Sequence, residues 1–122
     1  MDIETALKEA MEIDGALGVA LVDYDSGMAL GTLGGGRYLD LEVAAAGNTE
    51  VVRAKMRALQ ALNLDEKIDD ILITLTKQYH VIRLLTSRSG GGLFLYMALD
   101  REKANLAMAR HQLRQIAGAV TI

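Results

Sequence analysis

The spacing of apolar positions changes several times along the chain. Over residues 2–14, Ile3, Leu7, Ala10 and Met11 recur at three-and-four spacing opposite Glu4, Thr5, Lys8 and Glu12. This predicts an amphipathic helix with Asp2 as its N-cap and Gly15 as its stop. Residues 16–24 are apolar on both alternating faces and read as a buried strand. A second strand over 28–33 returns after Asp25, Ser26 and Gly27, which suit a three-residue hairpin loop. Beyond three glycines at 34–36 a long helix spans roughly 38–62. Strands follow at 68–76, 79–86 and 93–99. A last helix, capped by Asp100, runs to about residue 119 with Leu106, Ala109, Leu113, Ile116, Ala117 and Val120 on one stripe.

The order α-β-β-α-β-β-β-α, with short turns between strands, predicts an antiparallel five-stranded sheet. On the third strand Ile71, Ile73 and Leu75 point one way, and Leu72 points the other. On the fourth, His80, Ile82 and Leu84 oppose Tyr79, Val81 and Leu85. Apolar residues on both sides require cover on both sides, and three helices are available to give it. The fold class is therefore α+β, arranged as an α/β/α sandwich. Proline is absent and no linker or repeat divides the chain, so residues 1–122 read as one domain.

The middle helix has two apolar stripes. Leu41, Ala45, Val52, Met56 and Leu59 form one, interrupted by Asn48, and suffice to pack on a sheet. Val43, Gly47, Ala54, Ala58 and Ala61 form a second, nearly opposite, with Glu42, Glu50, Arg53 and Arg57 between them. Small residues let two helix backbones approach closely, and a natural partner is the same helix of a second copy. The competing reading is alanine as a good helix former on a solvated face, although Val43 and Gly47 have no such reason to be there. Two free sheet edges also favour pairing across a two-fold axis. Arg53 and Arg57 lie beside the stripe and are the candidates for contact with a different partner.

Composition narrows the chemistry. The chain has 122 residues, 51% hydrophobic and 24% charged, the proportions of a folded globule. Thirteen basic against sixteen acidic residues give a net charge of −3, which argues against nucleic acid as a partner. Without cysteine there are no disulfides, thiolate metal sites or thiol nucleophiles. No apolar run approaches the ~20 residues of a membrane span, and the first residues are acidic where a signal peptide is basic. The expectation is a cytoplasmic protein without membrane insertion. His80 and His111 are the only histidines, and neither meets carboxylates at ligand spacing. No metal, no cofactor and no catalytic residue is expected. Asp69 and Asp70 point to opposite faces of a strand and read as guard charges on an edge. The stretch from Gly31 to Tyr38 approaches a phosphate-binding loop, but Arg37 stands for the lysine and Tyr38 for the hydroxyl that holds magnesium.

The element order, the hairpin Val22-Asp23-Tyr24-Asp25-Ser26-Gly27-Met28-Ala29-Leu30 and the final helix Asn105-Leu106-Ala107-Met108-Ala109-Arg110 together resemble the Roadblock / dynein light chain family, in its short stand-alone prokaryotic form. The resemblance implies a profilin-like fold and a homodimer whose third strands pair across the two-fold axis, placing Asp69, Ile71 and Ile73 at the interface. It also implies a platform or regulator of small Ras-like GTPases, with no shared catalytic motif. The expectation is a homodimeric, non-enzymatic regulatory or scaffold protein that binds and modulates a small GTPase. The alternative is a small-ligand sensor or adaptor domain, which needs a pocket of convergent polar groups. The sequence offers Asn48 and His80 for one. Glycine-rich stretches at 34–36 and 87–92 depart from the family pattern.

Overall fold

In the computed structural model, which describes residues 1–85 and 92–121, one sheet organises every other element. In chain order the elements are α1 (Ile3–Met11), β1 (Ala16–Asp23), β2 (Met28–Gly34), a 3-10 turn (Gly36–Tyr38), α2 (Leu41–Ala61), β3 (Asp70–Thr74), β4 (Gln78–Leu84), β5 (Leu93–Asp100) and α3 (Leu106–Ala119). The sheet is antiparallel with spatial order β2-β1-β5-β4-β3. The last strand is therefore the central one, and it is buried from Leu93 to Leu99. A strand covered on both faces needs apolar side chains at successive positions, which Leu-Phe-Leu-Tyr-Met-Ala-Leu supplies.

Alternation along the strands divides the core into two layers. Val19, Leu21, Val81, Leu95, Met97 and Leu99 pack with Leu7 and Ala10 of α1 and Leu113 and Ile116 of α3. Ala20, Val22, Ile82, Phe94 and Tyr96 pack with Leu41, Ala45 and Val52 of α2. Two helices cover one face and a single helix, lying against β1 and β2, covers the other. That asymmetry leaves β3 at the margin of the α2 layer.

Local chemistry moves several boundaries. α2 starts at Leu41 because the Asp40 carboxylate accepts from the N–H groups of Glu42 at 3.0 Å and Val43 at 3.2 Å, and the residues before it form a separate 3-10 turn. The cap of α3 is Asn105, whose side chain accepts from Met108 N–H at 3.1 Å. Asp100 ends β5 and accepts from Glu102 N–H in the turn that follows, so it does not cap α3. The β1–β2 loop has four residues, 24–27. Asp23 closes it by accepting from Asp25 N–H at 3.0 Å and the Ser26 hydroxyl at 3.2 Å. β3 is also shorter than its apolar pattern, five residues against the nine predicted. The predicted end of the fourth strand at Thr86, and all but Gly92 of the predicted 87–92 loop, lie outside the described residues.

Candidate interaction surface

α2 turns one flank to the sheet and the other to solvent. Leu41, Ala45, Thr49 and Val52 are buried beneath it. Polar side chains on this flank bond back to their own helix: Thr49 Oγ1 donates to the Ala45 carbonyl and Asn48 Nδ2 to the Ala44 carbonyl, both at 2.8 Å. Apart from the Tyr96 phenol, Thr49 is the one buried polar side chain among the described residues, and sequence periodicity did not include it. On the outer flank Val43 is 67% exposed. Ala54 and Ala61 are exposed, and Ala58 is half-buried. A Cβ placed on Gly47 meets no atom within 4 Å. The small-residue stripe is thus open along its length.

β3 supplies a second open feature. It is an edge strand, paired only with β4 through the register Ile71↔Ile82 and Ile73↔His80. Ile71 reaches the α2-side core while remaining partly exposed, Ile73 is half-buried, and Leu75 just beyond is 41% exposed. Asp69 is exposed. Asp70 turns to the α3 face, where Arg110 Nε and an Arg110 terminal nitrogen donate to its two carboxylate oxygens at 2.9 and 2.8 Å. This two-pronged pair ties α3 to the edge strand and raises the Arg110 pKa, through the hydrogen bonds first and the charge second. Sequence reading did not link the two groups, because they lie forty positions apart and only the sheet order brings them together.

Arg53 and Arg57 lie elsewhere. With Tyr24, Asp25 and Met56 they frame a shallow hollow of about 320 Å³ beside the β1–β2 hairpin. A larger hollow of about 430 Å³ lies under the C-terminal end of α2, walled by Tyr24, Met56, Leu59, Leu64, Ile68 and Leu84. Neither Asn48 nor His80 lines it. The two polar groups proposed for a ligand pocket are committed to other bonds.

His80 sits on the α2 side of the sheet, its ring edge-on to that of Tyr96 with centroids 5.3 Å apart. Tyr96 Oη lies 3.1 Å from His80 Nδ1, and Nε2 lies 2.8 Å from Gln78 Oε1. The amide oxygen can only accept, so Nε2 carries the proton and the phenol donates to Nδ1. Burial lowers the His80 pKa below 6.5 and pushes the Tyr96 phenol up to about 12. The unfolded chain therefore binds the proton first as pH falls. The contribution of neutral His80 to stability is complete above pH 6.5 and declines as pH drops from there through the lower folded value. Urea midpoints measured at pH 7.5 and 5.5 should fall further for wild type than for His80→Gln.

The glycine-rich connection does not form an anion cradle. Gly34, Gly35 and Gly36 all adopt positive φ, and a Cβ on Gly35 would stand 2.6 Å from the Leu39 carbonyl oxygen. The donors at the start of α2 are occupied by Asp40, and Glu42 adds negative charge to the first turn. The Arg37 guanidinium stacks over the Tyr38 ring at 5.4 Å. His111 is exposed on α3, and among the described residues no group of three His, Cys, Asp or Glu side chains is placed to hold a metal. No helix is long and apolar enough to cross a membrane among the described residues.

No family model and no curated protein matches this sequence. Solved structures do match. A Roadblock/LC7 domain from Streptomyces avermitilis superposes with a TM-score of 0.78 at 14% identity, covering 96% of this chain and 92% of its own. MglB of Myxococcus xanthus gives 0.73 at 17% identity, with 93% and 83% covered. MglC of Myxococcus xanthus gives 0.61 at 23% identity, with 96% and 94% covered.

Proposed function

We propose that this chain, which has the Roadblock/LC7 fold, is a homodimeric, non-enzymatic regulatory platform that binds and modulates a small Ras-like GTPase. The observation that carries this reading is a pair of unfilled features, one on the helix that covers β1 and β2 and one at the opposite edge of the sheet. One is the outer flank of α2, with Val43, Gly47, Ala54, Ala58 and Ala61. The other is the edge strand β3, with Ile71 and Ile73 half-covered and Asp69 exposed at its start. A two-fold axis beside β3 pairs that strand with its copy and sets a second α2 alongside the first. Burial of apolar side chains and new backbone bonds both favour the pairing. The Asp70–Arg110 bond pairs the Asp70 charge in each copy and leaves Asp69, among the described residues, as the unpaired acidic group at the start of the edge strand.

The partner surface on this reading is the Arg53–Arg57 hollow, exposed beside the hairpin and bordering the small-residue stripe. Two guanidinium groups suit an acidic or backbone-carbonyl-rich surface. Any effect on hydrolysis acts by positioning the GTPase's own catalytic groups, since no nucleophile–base pair reaches the surface among the described residues.

Capture from the native lysate in the presence of GDP or a GTP analogue, followed by titration of the recovered GTPase, tests the reading. Arg53→Glu with Arg57→Glu should weaken binding by about tenfold or more while the chain's own association is unchanged. Recovery of no GTPase in either nucleotide condition would count against this function and leave the adaptor role.

A further inference from the structure

We infer that the outer edge of β2 is a second self-association surface, on which β2 of another copy adds antiparallel and extends the sheet. β2 is an edge strand, and residues 28–36 contain neither a charge nor a proline, two common means of blunting such an edge; a bulge at Leu30 leaves the stretch Gly31–Leu33 in regular register with β1. The other edge has Asp69 and Asp70, flanked by Lys67 and Lys77. On β2, Met28, Leu30 and Leu33 are 67%, 47% and 38% exposed. Three large apolar side chains on one seven-residue strand is a concentration that a soluble surface rarely leaves uncovered.

The backbone specifies what fits. Gly35 N–H donates to the Leu17 carbonyl at 2.8 Å, which sets the phase of the β1–β2 ladder. Counting back by alternation, Leu33 faces β1, and Thr32 turns its N–H and C=O outward. Neither group has another protein partner among the described residues. Donor and acceptor on one exposed residue of an edge are satisfied together by a strand.

The sequence of β2 suits its own copy. With the two-fold axis at Thr32, that residue meets its equivalent and exchanges both backbone bonds with it. Leu33 then stands opposite Gly31 on each side of the axis, and the regular pairing ends at the bulge at Leu30 and at Gly34, which adopts positive φ. Leu33 faces a glycine, and no charge faces a like charge. Two copies of net charge −3 repel in general, but along this edge nothing opposes their approach. On the α1 side Leu7 and Ile3 already lean over Gly31, where a Cβ would stand 2.9 Å from Leu7, so the joined strands have apolar cover there.

Sedimentation velocity over a concentration series tests this surface separately from the β3 seam. Leu30→Lys places a charge on the edge, and Thr32→Pro removes the outward N–H without touching a β1–β2 bond. Wild type should assemble beyond a dimer, and either variant should weaken that step by about tenfold or more and stop at the dimer. Ile73→Asp, which attacks the other edge, should still form the β2-paired dimer. If the β3 seam fails and this surface holds, wild type and Ile73→Asp both run as dimers that Leu30→Lys splits. Wild type, Leu30→Lys and Thr32→Pro sedimenting alike at every loading would overturn the inference, even where an extended apolar peptide is found to bind the same edge.

Discussion

Gly47→Leu is expected to make the isolated chain more stable and its dimer weaker. Within one chain the substitution is benign: the Cβ points into open space, and the position lies in the interior of a 21-residue helix. Replacing glycine with a good helix former there gains about 0.5–1 kcal/mol. In a dimer built on a close α2–α2 contact, the same side chain forces the two backbones apart, and the association constant should fall by about tenfold or more. Ala58→Leu, on the same flank, should weaken the dimer likewise, without the gain in helix propensity. The opposed signs are what make the pair informative, because a general loss of folding lowers both quantities. Thermal unfolding at low loading reads the first, and sedimentation equilibrium the second.

Phe94→Ala is expected to have the largest effect on folding. Phe94 is fully buried in the central strand, stacked on Tyr24 with centroids 6.5 Å apart, and packed into the layer beneath α2. Truncation at such a site removes the transfer energy of the ring and leaves a cavity that the sheet cannot close, costing about 3–5 kcal/mol. For a domain whose whole stability is about 5–15 kcal/mol, this is a large share. Urea unfolding should show a midpoint far below that of wild type. The loss would also loosen the C-terminal half of α2, since Tyr24 walls the hollows on both sides of that end.

Elements with a clean period were legible in the sequence. The order of helices and strands, the two-sided core and the open flank of α2 follow from residues such as Leu41 and Val52 against Val43 and Gly47, which periodicity separates without knowing the fold. Ends were less legible because side-chain caps decide them. Asp40 and Asn105 both bond to the first turn of a helix, and nothing in apolar spacing ranks Asn105 above Asp100. Contacts between elements were not legible. The Asp70–Arg110 bond needs β3 at the edge and α3 on the opposite face from α2, and the Tyr96–His80–Gln78 chain needs β5 beside β4. Sequence periodicity puts a residue on a face, whereas strand order decides what it meets there.

The exposed apolar edge of β2 illustrates the same limit. The turn residues at 25–27 predicted a returning strand over 28–33, but its position at the sheet margin, with Met28 and Leu30 in solvent, depends on β5 taking the centre.

Sedimentation equilibrium of the Leu30→Lys chain from low to high micromolar loading tests the account most directly, because it leaves the α2 flank and β3 as the surfaces for self-association. A species of twice the 13.2 kDa chain mass, returned to a single chain by Gly47→Leu, is the predicted result. A single-chain mass throughout the range would contradict it.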